Sequence, residues 1–80
     1  MKYYLEFSDA DDSRLKSAFA ERIESDSPIP APAVGDTVSV EQKYLSVVTR
    51  LFSYWDDSCH IQCFCREINE DDLRRKCRAI

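Results

Sequence analysis

The fold of this 80-residue chain is decided by the stretch Tyr44-Leu-Ser-Val-Val-Thr-Arg-Leu-Phe-Ser-Tyr-Trp55, Asp56-Asp57-Ser58, Cys59-His-Ile-Gln-Cys-Phe-Cys-Arg66. Its two long segments are rich in β-branched and aromatic residues and alternate in polarity, and a short polar break separates them. This pattern predicts a long β-hairpin. The second strand holds three of the four cysteines and the only histidine, so any chemistry should be sought there first.

The register of this hairpin depends on the length of its turn. A turn of three or five residues joins odd positions to odd positions, whereas two or four residues join odd to even. The odd-with-odd register gives one uniformly apolar face, so we expect Val47 to face Cys65 and Thr49 to face Cys63. The even face then collects the candidate binding residues, which are aromatic or basic: Arg50, Phe52, Tyr54, His60, Phe64 and Arg66.

Three interpretations of this even face stay open. Tyrosine, phenylalanine and arginine are the usual anchors of protein interfaces, which predicts contact with a protein partner. Aromatic residues interleaved with arginines on an open sheet also stack the bases of single-stranded nucleic acid. The net charge of −4 disfavours this second interpretation, because affinity for phosphate comes mainly from lysine and arginine. A helix over the face would instead make the aromatic residues a second small core.

A strand and a helix are expected before the hairpin. Residues 2–7 alternate in polarity, as a strand does, and Ser8 with Asp11 is like a capping box. Helical spacing of the next apolar residues predicts a helix through Glu24; these are Leu15, Ala18, Phe19 and Ile23.

A proline-rich connector and a short strand follow. Prolines at every second position predict that residues 25–33 are a stiff, extended connector within the domain. Gly35 is the only glycine, so we expect an unusual φ there, ahead of a strand that contains Val38 and Val40. Residues 32–38, Pro-Ala-Val-Gly-Asp-Thr-Val, are similar to the start of a strand in SH3-like barrels. This resemblance implies a partly open barrel and no particular function.

The C-terminal residues predict a second helix. Asn69 can cap it, with Asp72 at the third helical position, and Leu73, Cys77 and Ile80 form an apolar stripe that should be buried. The basic residues behind them are favoured by the helix dipole. They are either a solvated helix end or a secondary binding patch made by Arg74, Arg75 and Arg78.

These elements predict one α+β domain over residues 1–80. We expect a small antiparallel sheet of about four strands with an N-terminal and a C-terminal helix, in the order β-α-β-β-β-α. A domain this small has little room for a deep substrate pocket.

The cysteines suggest a zinc site, but strand geometry argues against it. Cys59 and Cys63 would lie ~13 Å apart along a strand, whereas zinc requires sulfurs ~4 Å apart. We therefore expect the strand cysteines to be small buried hydrophobes, with Cys77 packed onto them. A metal or thiol-redox site is a weaker alternative, and Cys65 with Cys77 is the only disulfide that the topology would allow.

No set of catalytic residues is apparent. On a strand, His60 and Cys59 point to opposite faces, and the paired acids are explained by helix starts and a turn. One glycine cannot build a phosphate-binding loop. We therefore predict a protein that is not an enzyme and has no cofactor.

The remaining expectations concern location and partners. The N-terminal residues are too polar for a signal peptide, and no apolar run approaches the ~20 residues of a membrane span. We predict an acidic cytoplasmic protein with reduced cysteines that acts by protein–protein contact, as an adaptor or as an inhibitor of the kind that phages and mobile elements encode. The alternative function is binding of single-stranded nucleic acid through the aromatic and basic face of the hairpin and the C-terminal arginines. As for partners, the sequence also leaves a homodimer open.

Overall fold

The computed structural model describes residues 1–78 and shows a five-stranded mixed sheet followed by one helix. The strands are β1 (Lys2–Asp9), β2 (Ile23–Ser25), β3 (Thr37–Val40), β4 (Lys43–Trp55) and β5 (Ser58–Ile68), and the helix is α1 (Glu70–Arg78). Their order across the sheet is β2-β1-β5-β4-β3. β1 runs parallel to β5, and the other neighbours are antiparallel.

This architecture corrects the predicted fold class. The sheet has five strands and not about four, and its parallel β1–β5 pair makes it mixed and not antiparallel as in an SH3-like barrel. The predicted N-terminal helix is wrong, because the segment after β1 forms turns and the short strand β2. Within residues 1–78 the order is therefore β-β-β-β-β-α.

The acids expected to cap an N-terminal helix organise a loop instead. The Asp12 carboxylate accepts hydrogen bonds from the backbone N–H groups of Arg14 (3.1 Å), Lys16 (3.0 Å) and Ser17 (2.8 Å). Leu15, between them, has a left-handed φ of 55°. Such side-chain bonds to the backbone compete with helical hydrogen bonds, so the loop replaces the helix.

After this loop the chain runs back along β1. The backbone N–H of Asp9 donates to the carbonyl of Ser17, and the N–H of Phe19 donates to the carbonyl of Phe7, both at 2.8 Å. The apolar residues that suggested a helix are consequently placed at the sheet edge, where Phe19 packs on the core and Leu15 stays exposed.

The core covers one face of the sheet and consists of apolar residues from its three central strands. β1, β4 and β5 supply Leu5, Phe7, Leu45, Val47, Cys59, Ile61, Cys63 and Cys65. Burial of the three strand cysteines confirms that prediction, and Cys63 and Cys65 are completely inaccessible. Burial raises the pKa of the Cys65 thiol to about 11, because the interior disfavours the thiolate.

Within residues 1–78, the partly buried side chains that pack on this core come from loops and from the sheet itself, and none comes from α1. Ile29 and Ala31 of the proline-rich connector pack against the buried cluster, as do Phe19 and two valines of β3, Val38 and Val40. The alternation of prolines keeps the connector extended, so that alternate side chains can face the sheet.

The β4–β5 hairpin contains both of the registers that its sequence allows. Asp56 and Asp57 form a two-residue turn, so Trp55 pairs with Ser58. A β-bulge between Val47 and Thr49 then shifts the register by one residue. The predicted pairing of Val47 with Cys65 is confirmed, whereas the predicted pairing of Thr49 with Cys63 is wrong, because Thr49 pairs with Phe64.

Helix α1 begins as predicted but is not buried as predicted. The Asn69 side chain accepts a hydrogen bond from the N–H of Asp72 at 2.8 Å, and Asp72 accepts one from the N–H of Asn69 at 3.4 Å. No residue of α1 is buried: Leu73 is half-buried and Cys77 is exposed. The expected packing of Cys77 onto the strand cysteines is therefore wrong, and Ile80 lies outside the described residues.

Candidate functional site

The outer edge of β4 is covered along only part of its length. β3 pairs with β4 up to Ser46, and the backbone of Val47 exchanges hydrogen bonds with Gly35 (2.9 Å) and Asp36 (3.0 Å). Gly35 has the positive φ, 94°, that its turn was expected to require. Beyond Val47, no strand in the described part of the chain pairs with this side of β4. We call residues 48–55 of β4 the open edge.

The open edge is lined with large apolar and aromatic side chains that face solvent. The exposed fractions are 40% for Val48, 48% for Leu51, 40% for Phe52, 71% for Tyr54 and 63% for Trp55. Long, apolar, unpaired edges are templates for pairing with another strand, and many proteins protect them with lysine, proline or a bulge. The open edge holds neither lysine nor proline, and its bulge lies at one end.

Backbone groups on this edge point outward at alternate residues. In a two-residue hairpin the residues beside the turn, here Trp55 and Ser58, direct their N–H and C=O groups at each other. Because this direction alternates from one residue to the next along a strand, the backbone N–H and C=O groups of Tyr54, Phe52 and Arg50 point away from β5. Val47 also directs its backbone groups outward, toward Gly35 and Asp36. It is at an odd position because the bulge between Val47 and Thr49 adds one residue to the alternation.

Three of the six predicted site residues lie together on this edge. Arg50, Phe52 and Tyr54 share one face of β4, and the guanidinium of Arg50 lies 5.3 Å from the centre of the Phe52 ring. They pair with Cys63, Ile61 and Cys59 of β5, so the bulge has moved them to the core side of the sheet. They remain exposed there.

The other three predicted site residues lie elsewhere. His60 is on the opposite face, and Phe64 on that face is buried with 7% exposure. Arg66 forms a two-pronged ion pair with Asp11, with Nη2 and Nε each 3.1 Å from a carboxylate oxygen. This pair lowers the pKa of Asp11 and fastens the loop after β1 to β5. The expected single face of six residues is therefore not formed, because the bulge changes the phase of β4.

A second aromatic feature lies on the face opposite the core, and we call it the aromatic column. His60 stacks on Tyr4 with ring centres 4.4 Å apart and contacts the ring of Trp55 at the same distance. The guanidinium of Arg22 lies 4.4 Å from the centre of the Tyr4 ring. Of this column, only His60 was predicted as a site residue, because local sequence patterns do not reveal the pairing of β1 with β5.

Val48, Leu51 and Trp55 were also missed as candidate site residues. The sequence feature that could have identified them is the Asp56-Asp57 pair between the two strands. This pair fits a two-residue turn, and such a turn places Trp55 next to it. The odd-with-odd register assigned Leu51 to the core instead.

The basic residues of α1 are largely neutralised within the helix. Arg74 approaches Glu70 to 3.0 Å and Asp71 to 3.8 Å, and Arg75 approaches Asp72 to 3.6 Å. Lys76 donates to the Thr37 hydroxyl at 2.7 Å and to the Gly35 carbonyl at 3.1 Å, which attaches α1 to β3. Arg78 is exposed at the end of the helix. The secondary patch of Arg74, Arg75 and Arg78 is thus accompanied by the acids of the first turn.

The cysteines and the acids do not come together as a metal site. Across residues 1–78, no group of three or more histidine, cysteine, aspartate or glutamate side chains could hold a metal ion. The only polar or charged residue that is buried in this range, Ser8, accepts a hydrogen bond from Gln62 at 3.2 Å and donates one to Glu6 at 3.4 Å. An apolar cleft of about 470 Å³ lies between β2 and β3, lined by Phe7, Ala20, Glu21, Ile23, Val38, Ser39, Val40 and Glu41.

Comparison with protein families, with curated proteins and with solved structures finds no match for this chain. Across residues 1–78, no helix is long and apolar enough to cross a membrane. The geometry of the open edge and of the aromatic column therefore carries the functional argument.

Proposed function

We propose that this chain is a non-enzymatic binding protein, an adaptor or an inhibitor, which acts by protein–protein contact through the open edge. An extended strand of the partner adds to β4 and continues the sheet. Its backbone pairs with the outward N–H and C=O groups of β4, and its side chains meet the exposed aromatic residues. This mode of recognition gives affinity through the main chain and specificity through alternate side chains.

One observation carries the proposal: the unpaired edge and the exposed aromatic side chains occupy the same residues. Phe52 and Tyr54 direct their backbone outward and are 40% and 71% exposed. Arg50 stands beside Phe52 and adds the residue type that, with tyrosine and tryptophan, is enriched at binding hot spots. A single strand of the partner would therefore both pair with the backbone of β4 and contact its exposed side chains.

The chain's other properties suit this proposal. The strand cysteines are buried free thiols, which fits the reducing conditions of a cytoplasm. Within residues 44–59, the acids are those of the Asp56-Asp57 turn and the only basic residue is Arg50, so a partner strand that carries both charges is favoured by complementarity.

Selection from a library of displayed peptides tests this proposal. The wild-type chain, immobilised sparsely so that copies do not touch, should retain peptides with alternating apolar residues. Phe52→Pro should abolish their retention, because proline removes an outward N–H that β5 does not use. Phe52→Ala is the matched control: it keeps that N–H and should weaken binding without abolishing it. Equal retention by Phe52→Pro, with an unchanged circular dichroism spectrum, would exclude strand addition.

The aromatic column supports a second candidate function, binding of single-stranded nucleic acid. Tyr4, His60 and Trp55 form a row of rings on one face with Arg22 at its end, and bases stack on such rows. The net charge of −4 opposes it. Retention of labelled oligonucleotides that falls as salt rises, and is lost in Trp55→Ala, would support this candidate; absence of retention at low salt would remove it.

A further inference from the structure

We infer that the strand added to the open edge is the open edge of a second copy of this chain, so that two sheets join into one continuous ten-stranded sheet. This inference rests on the proposed function and specifies its partner. Two β4 strands would run antiparallel about a two-fold axis, the symmetry of most homodimers.

Backbone geometry selects one register. The outward-directed residues are Arg50, Phe52 and Tyr54, and antiparallel hydrogen-bonded pairs form only between outward residues. With Phe52 opposite Phe52 of the second copy, Arg50 meets Tyr54 of that copy and Tyr54 meets its Arg50. All three outward residues are then paired, which gives about six backbone hydrogen bonds. A shift by two residues moves a pair into the bulge at Val48 or into the Asp56-Asp57 turn.

Side chains in this register complement each other. Arg50 lies against the Tyr54 ring of the second copy, an arrangement of cation and aromatic face that attracts. The other sheet face pairs Leu51 with Ser53 and Thr49 with Trp55. No charged residue faces a like charge across this interface.

Charge is also complementary at the two ends of the interface. Within residues 44–59, Arg50 is the only basic residue and Asp56 and Asp57 are the only acids. Asp56 of the second copy is the diagonal neighbour of Arg50, within reach of a long side chain. The two-fold axis produces this contact twice. The positive residue of each strand, Arg50, therefore lies near the negative turn of the other strand.

Native mass and site-specific cross-linking test the inference. Sedimentation equilibrium of the wild-type chain should give twice the single-chain mass of 9.3 kDa and a single-chain mass on dilution. Phe52→Pro should stay at the single-chain mass. In a Cys77→Ser background, Phe52→Cys should form an interchain disulfide rapidly, because hydrogen-bonded partners lie about 5.5 Å apart at Cα, within disulfide range.

The matched control is Tyr54→Cys in the same background. Position 54 is more exposed than position 52, so random collision would cross-link it faster, whereas in the proposed register the two copies of residue 54 lie roughly 13 Å apart. Faster cross-linking at position 52 supports the register; equal or faster cross-linking at position 54 overturns it. A single-chain mass at all concentrations overturns the inference, and if selected peptides still bind the edge, the proposed function stands without it.

Discussion

Two segments of β4 have similar residues and opposite environments. Leu45 and Val47, before the bulge, are 0% and 2% exposed, whereas Leu51 and Phe52, after it, are 48% and 40% exposed. The first segment is flanked by β3 and β5, and its core side is packed under loops. The second has β5 on one side and solvent on the other. The two segments therefore differ in whether the rest of the chain covers them, and not in the type of residue they contain. The covered segment belongs to the core, and the uncovered one is the candidate interface.

The largest expected effect sharpens this contrast between two leucines. Leu45→Ala should lower the free energy of unfolding by about 2–5 kcal/mol, because it leaves a cavity in a packed core. Leu51→Ala should cost less than about 1 kcal/mol, because about half of that residue's surface is already in water. Urea denaturation of both variants measures the difference. Equal costs would show that the open edge is covered in the folded protein.

The buried thiols test the covered segment through pH. The pKa of Cys65 is raised from 9.0 to about 11 by burial, so the folded state keeps its proton while the unfolded state loses it. Stability from this residue is full below pH 9 and should decline as the pH rises from about 9 to 11. Cys65→Ala should show a shallower decline in urea unfolding over that range. Matching slopes for the two proteins would contradict the burial of this thiol.

Thiol labelling provides a direct companion measurement at neutral pH. A water-soluble alkylating reagent should modify Cys77 promptly, because it is exposed, and should leave the three buried strand cysteines intact until denaturant is added. Prompt labelling of all four in the native protein would remove the contrast between core and surface.

A smaller effect is expected from the loop that helps to cover the core. Backbone hydrogen bonds from Arg14, Ser17 and Lys16 lower the pKa of Asp12 to about 2. Its contribution to stability is present above the unfolded pKa near 3.8 and is lost as the pH falls through 2. Asp12→Ala should lower the unfolding midpoint at pH 7 and remove this part of the acid sensitivity. Asp12→Asn, which keeps one acceptor oxygen, should lie between the two proteins in thermal unfolding.

The smallest effect on stability is expected at the most exposed ring. Tyr54→Ala should change the free energy of unfolding by no more than about 0.5 kcal/mol, as exposed substitutions usually do. The same change should weaken dimerisation, because it removes the ring that Arg50 of the second copy contacts. Chemical denaturation together with sedimentation separates these two results. A large loss of stability would place Tyr54 in the core of the single chain.

The sequence predicted the local features of this fold. Alternation predicted β1 and the hairpin, Asn69 predicted the start of α1, and the only glycine predicted a positive φ at position 35. Each of these depends on residues close together in the chain. The buried strand cysteines followed from the same alternation.

Features that depend on distant contacts could not be predicted in this way. The segment after β1 has helical spacing, but the Asp12 carboxylate accepts the backbone N–H of Ser17, and residues 17–19 pair with β1. The candidate site was only half predicted, because the bulge at Val48 moved Arg50, Phe52 and Tyr54 away from His60 and Phe64. A bulge adds one residue without a sequence signature, so only the turn at Asp56-Asp57 could have revealed it.

Amide hydrogen exchange at several protein concentrations tests the open edge most directly. In dilute solution the amides of Arg50, Phe52 and Tyr54 should exchange fast, while those of Leu51 and Ser53, directed toward β5, exchange slowly. As the concentration rises and the second copy adds its strand, protection of the three fast amides should increase and protection of the other two should stay nearly constant. Slow exchange of all five amides at every dilution would contradict the account, because the edge of β4 would then already be paired within a single chain.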